Sequence, residues 1–249
     1  MCSTAPMGDG SGPARASDRF ACGPGTYPRL AAAPGHSGQV VAASRVSSGA
    51  CLPPFSKLSV WGGSSWSPVH EWDLDEVSGL AWPSADDGYV IVGPALARTT
   101  DGGPSWSQCW PAPAPAAGLA AESPSFALAG GDANDQGAVL RTTDGGKSWS
   151  GPAELPGQVL ALSLPTRRDA FAILFEPGPY RWELEVSTDG GRRWRPRGHL
   201  PEPRSFQIGQ GPVGLWMASP TRGLPPALLG GGRRGRAGGR HWPVRVVVD

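Results

Sequence analysis

The sequence predicts an all-β protein, a β-propeller of about five recognisable four-stranded blades. Three observations predict it. The pattern Ser/Thr-x-Asp-Gly-Gly-x-x-Trp occurs as RTTDGGPSW from Arg98 to Trp106, as RTTDGGKSW from Arg141 to Trp149 and as VSTDGGRRW from Val186 to Trp194. Steps of 43 and 45 residues separate the copies, close to the span of one propeller blade. Between the copies run short apolar segments bounded by Gly, Pro, Ser and Asp, as in an antiparallel meander.

Each residue of the pattern has a physical task. Asp-Gly and Gly-Gly suit a tight hairpin, whose central positions need the positive φ that glycine adopts without steric cost; Gly103, Gly146 and Gly191 are the second glycines. The carboxylates of Asp101, Asp144 and Asp189 can accept bonds from turn amides and close the turn on itself. Thr99, Thr142 and Ser187, two residues earlier, can add a hydroxyl bond. Trp106, Trp149 and Trp194 are expected on the following strand, buried against a neighbouring blade. Two worn copies extend the series. SVWGGSSW, from Ser59 to Trp66, has Trp61 in the aspartate position, and GRAGGRHW, from Gly235 to Trp242, has Ala237 there.

These copies resemble the Asp-box, or BNR, repeat. That repeat occurs in sialidases, in sortilin-type receptor propellers, and in bacterial WD40/YVTN/BNR-like propellers similar to the photosystem II assembly factor family. The resemblance spans roughly residues 27–249. It implies a propeller with each box at the hairpin between the third and fourth strands of a blade. There the box lies on the outer edge, away from the central ligand face. The resemblance therefore implies that the twelve box residues named above, Thr99 to Trp194, support the fold and do not catalyse.

Taken in order, residues 1–26 are Gly, Ser, Pro and Ala with scattered charge and read as a disordered lead-in. The propeller is expected over 27–249, with blades at about 27–70, 77–112, 118–155, 159–200 and 204–249. The first has strands in RLAAA, QVVAAS and KLSVW and is followed by an acidic link holding Glu71, Asp73, Asp75 and Glu76. VSGLAW, GYVIVG, ALARTT and PSWSQCW make the second, the clearest unit. PAPAPAAG must be an extended connector, because its prolines cannot enter a central ladder. FALAGG and AVLRTT lie in the third blade; VLALSL, DAFAILF and WELEVST in the fourth. The fifth begins at SFQIG and GLWMAS, loses definition in GGGRRGRAGGRHW, and ends in PVRVVVD, which suits an edge strand. A ring that closes within the chain, a piece of a longer propeller, and a shifted reading frame near Leu229 all remain open readings of that decay.

Composition narrows the function. A net charge of +1 gives no overall field for nucleic acid or membrane. No run approaches the ~20 apolar residues of a membrane span, and the N-terminus lacks the apolar core of a signal peptide, so the chain reads as soluble, exported only if a leader precedes it. Cysteines at 2, 22, 51 and 109 have neither C-x-x-C spacing nor nearby histidine, so no metal or other cofactor is expected. Separate reduced thiols are favoured over a Cys22–Cys51 disulfide.

The candidate chemistries are weak beside their structural alternatives. A sialidase-like hydrolase needs converging arginines, an acid/base Asp and a Tyr–Glu pair, against which the chain offers only Tyr27, Tyr89 and Tyr180. Arg98 and Arg141 precede boxes at equivalent positions and read as surface strand residues. The acidic patch of Glu71, Asp73, Asp75, Glu76, Asp86 and Asp87 reads as a solvated loop, and GDANDQG as a polar hairpin without the glutamate of a calcium loop. The arginine-rich stretch from Arg233 to Arg245 has no interleaved stacking aromatic except Trp242, which already belongs to the repeat. The expected role is a monomeric, non-catalytic scaffold presenting a propeller face to a protein or glycan, with no catalytic residue assigned. The alternatives are a sialidase-like glycoside hydrolase fragment and a carbohydrate-binding propeller without catalysis.

Overall fold

Period-two apolar segments of five to eight residues can bury their backbone polar groups only by pairing with one another, and each described element of the computed structural model is a β-strand. The structure describes residues 29–32, 39–46, 55–62, 64–73, 77–111, 116–133, 136–200, 213–215, 217–219, 222–223 and 246–248. The expected disordered lead-in, the fifth box and the arginine-rich stretch lie outside the described residues. Among the described residues no helix is long and apolar enough to cross a membrane.

Four antiparallel meanders follow one another. The first is β1 (Arg29–Ala32), β2 (Gln39–Val46), β3 (Phe55–Gly62) and β4 (Trp66–Asp73); the second is β5 (Val77–Ala81), β6 (Gly88–Val92), β7 (Ala95–Thr99) and β8 (Ser107–Pro111). The third is β9 (Ala116–Ser123), β10 (Phe126–Ala133), β11 (Gln136–Thr142) and β12 (Ser150–Leu155); the fourth is β13 (Gln158–Ser163), β14 (Ala170–Glu176), β15 (Arg181–Ser187) and β16 (Arg195–Leu200). The first strands of successive sheets, β1, β5, β9 and β13, pack side by side. This is the blade order of a β-propeller, and none of the sheets closes on itself. Beyond it, β17 (Val213–Leu215) pairs with β20 (Val246–Val248) and lies against β13, while β18 (Met217–Ser219) pairs with β19 (Arg222–Gly223).

Burial follows from a blade's having neighbours on both faces. The second strands of the second and fourth blades, GYVIV and AFAILFE, are buried along their whole length, which is why GYVIV and AFAILF read as unbroken apolar runs and not as alternations. The outermost strands carry Pro68, Pro111, Pro152 and Pro196, so each free edge is blunted by a residue that cannot donate to another ladder. The core lies in the seams. Val41, Leu58 and Trp72 of the first blade meet Trp82, Val90 and Trp106 of the second. Tyr89, Ile91 and Leu96 of the second meet Leu119, Ala129 and Trp149 of the third. Phe126, Leu128 and Val139 of the third meet Val159, Ala172 and Leu174 of the fourth.

Three expectations need correction. Glu71 and Asp73 are not in a link: β4 continues to Asp73 and pairs Lys57 with Glu71 across the ladder, their charges 3.9 Å apart. Asp87, from the other end of the same acidic patch, pairs with Arg98, so the two cations that flank the patch in sequence are its partners. Cys109 is disulfide-bonded, against the expectation of separate reduced thiols, its partner lying outside the described residues.

Candidate functional site

The Asp-Gly-Gly turns are longer than the tight hairpins the sequence suggests. β7 ends at Thr99 and β8 begins at Ser107, and Trp106, Trp149 and Trp194 stand just before the outer strand, not on it. The extra length is organised by side chains. In the third blade Thr142 Oγ1 donates to Asp144 Oδ1 (2.9 Å) and accepts from the Gly146 amide (2.8 Å). Asp144 Oδ1 accepts from the Ser148 amide (2.9 Å) and Oδ2 from the Ser148 hydroxyl (2.6 Å). Thr99, Asp101, Gly103 and Ser105 repeat the arrangement, with the Ser105 hydroxyl donating to Asp101 Oδ2. Ser187 and Asp189 repeat it with the amides of Gly191, Arg192 and Arg193.

These bonds show in the acidities. The Ser148 hydroxyl and amide, with Thr142, hold the Asp144 carboxyl down at about 2. Burial works against Asp101, but the bonds from Ser105 and Thr99 outweigh it and its pKa is lowered. Asp189 is lowered likewise, the amides of Arg193 and Arg192 and the Ser187 hydroxyl overcoming burial.

Each turn also reaches the blade before it. The second glycine of each pair has positive φ, +112° at Gly103, +81° at Gly146 and +83° at Gly191. A Cβ there would also stand 3.1 Å from Leu58, 3.2 Å from Cys109 and 2.8 Å from Leu128, all on the preceding blade. Trp106 Nε1 donates to Gly103 O (2.7 Å) and Trp194 Nε1 to Gly191 O (3.1 Å); Trp149 Nε1 has no acceptor among the described residues. Arg98 and Arg141 are half-buried and reach beyond their own blade. Arg98 donates to Gly145 O (2.8 Å) and Arg141 to Gly190 O (3.0 Å), each holding the turn of the following blade.

A second cluster, missed in the sequence, lies in the seam between the third and fourth blades. A cleft of about 380 Å³ opens there, lined on one side by Glu154, Leu155 and Pro156 at the end of β12. On the other stand Glu176, Arg181, Glu183, Glu185, Trp194 and Pro196. Arg181 donates to both oxygens of Glu176 (3.0 and 3.3 Å) and comes within 3.7 Å of Glu183. Exposed His199 has Nδ1 4.0 Å from Glu183. Glu185 is 3% exposed, and its carboxyl makes no hydrogen bond or ion pair among the described residues. Burial, then the charges of Glu183 and Glu176, push its carboxyl up to about 7. Burial and the bond to Glu176 raise Glu183, while Arg181 holds Glu176 low against burial.

No protein-family model matches the chain, and no curated protein matches it. Among solved structures it is similar to the GH74 enzyme of Niastella koreensis, with TM-score 0.53 and 12% identity over 76% of this chain and 31% of that one. It is also similar to the Hadza microbial sialidase Hz136, with TM-score 0.47 and 14% identity over 78% of this chain and 48% of that one. A third is YCF48 from Cyanidioschyzon merolae, with TM-score 0.37 and 13% identity over 77% of this chain and 88% of that one. The chain thus spans less than a third of the GH74 enzyme. At this identity the likeness to that enzyme shows the fold alone, and with the meander order it makes this chain a β-propeller.

Proposed function

We propose that the chain is a non-catalytic propeller scaffold that binds another macromolecule, a protein or a glycan, while its boxes serve the fold. The observation that supports this is the internal use of every repeated charge. Asp101, Asp144 and Asp189 accept from their own turns, and Arg98 and Arg141 hold the turns of adjacent blades. Groups so engaged serve their own turn or the turn of the next blade.

One observation favours a second reading, a glycoside hydrolase fragment. Glu185, with its pKa near 7, stands close to a carboxyl that stays ionised, Glu176, and such pairs of unlike carboxyls run acid/base hydrolysis. Incubation of the purified chain with a fluorogenic sialoside separates the two. The scaffold reading expects no turnover above a buffer control. Turnover that disappears in Glu185→Gln would overturn it in favour of the hydrolase.

A further inference from the structure

We infer that the cleft between the third and fourth blades is a receptor for a basic side chain, an alkylammonium or guanidinium group presented by a partner protein. The inference rests on the binding reading above and names the chemistry of the partner.

The repeat itself marks the site. Counting back from the box Thr or Ser, Glu185 holds the position of Ala97 in the second blade and Leu140 in the third. Glu183 likewise holds the position of Ala95 and Ala138. All four of those residues are buried and apolar. The seam therefore folds with alanine or leucine at these points, and carboxyls there cost free energy unless they are paired. Local pairing goes only part of the way. Arg181 is the one guanidinium among four carboxyls lining the cleft, Glu154, Glu176, Glu183 and Glu185, and it engages Glu176 and Glu183. Glu185 is left buried, without a partner among the described residues, and opening onto the cleft.

What would complete it follows from the donor inventory. An ionised carboxylate only accepts, so the missing group is a donor, and a positive charge offsets four carboxyls set against one arginine. Among the described residues no set of three or more His, Cys, Asp or Glu side chains is placed to hold a metal ion. An organic cation fits instead. Leu155, Pro156 and Pro196 offer apolar surface to the methylene stem of a lysine or arginine, and Trp194 offers an aromatic wall.

The test uses the full chain and two neutral-backbone probes, N-acetyl-arginine methylamide and N-acetyl-lysine methylamide, with N-acetyl-glutamine methylamide as the uncharged control. Binding is read at pH 8 from the Trp194 indole N–H resonance, assigned with Trp194→Phe. The cationic probes should shift it saturably and the control should not. Glu185→Gln, which removes the charge and keeps the shape, should weaken binding about tenfold while the spectrum stays folded. Binding should also weaken at pH 5.5, where Glu185 is protonated. The other groups facing it there are Glu183 and Arg181 on its own strand, Glu176 on β14, His199 on β16 and Glu154 on β12. No shift with either cationic probe at pH 8, or equal affinity in Glu185→Gln, overturns the inference. Neither outcome touches the scaffold reading, which fails instead on sialoside turnover.

Discussion

Asp144 and Glu185 stand on neighbouring blades, Asp144 two residues beyond the third-strand Thr142 and Glu185 two residues before the third-strand Ser187, and their surroundings are opposite. Asp144 is exposed, yet both its oxygens are taken by the hydroxyl of Thr142 and by the amide and hydroxyl of Ser148. Glu185 is buried, yet nothing donates to its carboxyl among the described residues. The first keeps the repeat; the second breaks it. A position that repeats is satisfied by the chain's own neighbours, because each blade must be complete before it can stack. A position that departs from the repeat and stays unsatisfied points outside the fold.

The tryptophans that end the boxes give the largest test of that contrast. Trp106 is buried among Trp72, Trp82 and His70, with ring centroids 5.4, 6.1 and 6.3 Å away. Trp66, at the same place in the worn first copy, is 46% exposed and meets Trp61 at 5.5 Å. In urea unfolding, Trp106→Ala should lose about 3–5 kcal/mol, and Trp66→Ala should stay within about 0.5 kcal/mol. Comparable losses would mean that burial in the seam is not what the repeat supplies.

Next in size is Asp144→Ala, with an expected loss of about 1–2 kcal/mol at neutral pH, because the Ser148 and Thr142 donors lose their acceptor at an exposed site. The folded pKa, about 2, lies below the ordinary 3.8. The contribution is therefore fully present above pH 3.8 and lost as pH falls through about 2, so the variant and the parent should converge in acid. A constant difference down to that pH would locate the loss elsewhere.

Turn chemistry was legible in the sequence because it is local. Asp-Gly-Gly and a hydroxyl two residues before the aspartate specify which groups can meet, whatever surrounds them. The strands were legible for the same reason, down to GYVIV and AFAILF. What the sequence hid depends on neighbouring blades. WELEVS alternates, and in a sheet with one wet face its glutamates would face solvent, but here both faces of β15 meet other residues. Aligning the third strands by their boxes, which puts Ala97, Leu140 and Glu185 in one column, was the available signal. Arg98 and Arg141 read from the sequence as surface strand residues, and their bonds to the next blade were not legible, since such a bond leaves no mark within one blade's sequence. The first copy shows what losing the aspartate does: Trp61 pairs directly with Trp66, and the Gly62 amide donates to Ser65 O (3.1 Å) across a shortened turn.

The most direct test of the contrast is the stability of Glu185→Gln against the parent chain at pH 5 and pH 8. The folded pKa of Glu185, about 7, lies above the ordinary 4.5, so the native state holds that proton more tightly than the unfolded chain. Stability from this group is present below pH 4.5 and lost as pH rises through 7. The glutamine variant should therefore match the parent at pH 5 and exceed it at pH 8 by on the order of 1 kcal/mol, the open cleft moderating the full cost of burial. A variant less stable than the parent at pH 8 would mean that Glu185 is already paired within the fold, and the distinction between satisfied and waiting carboxyls would be lost.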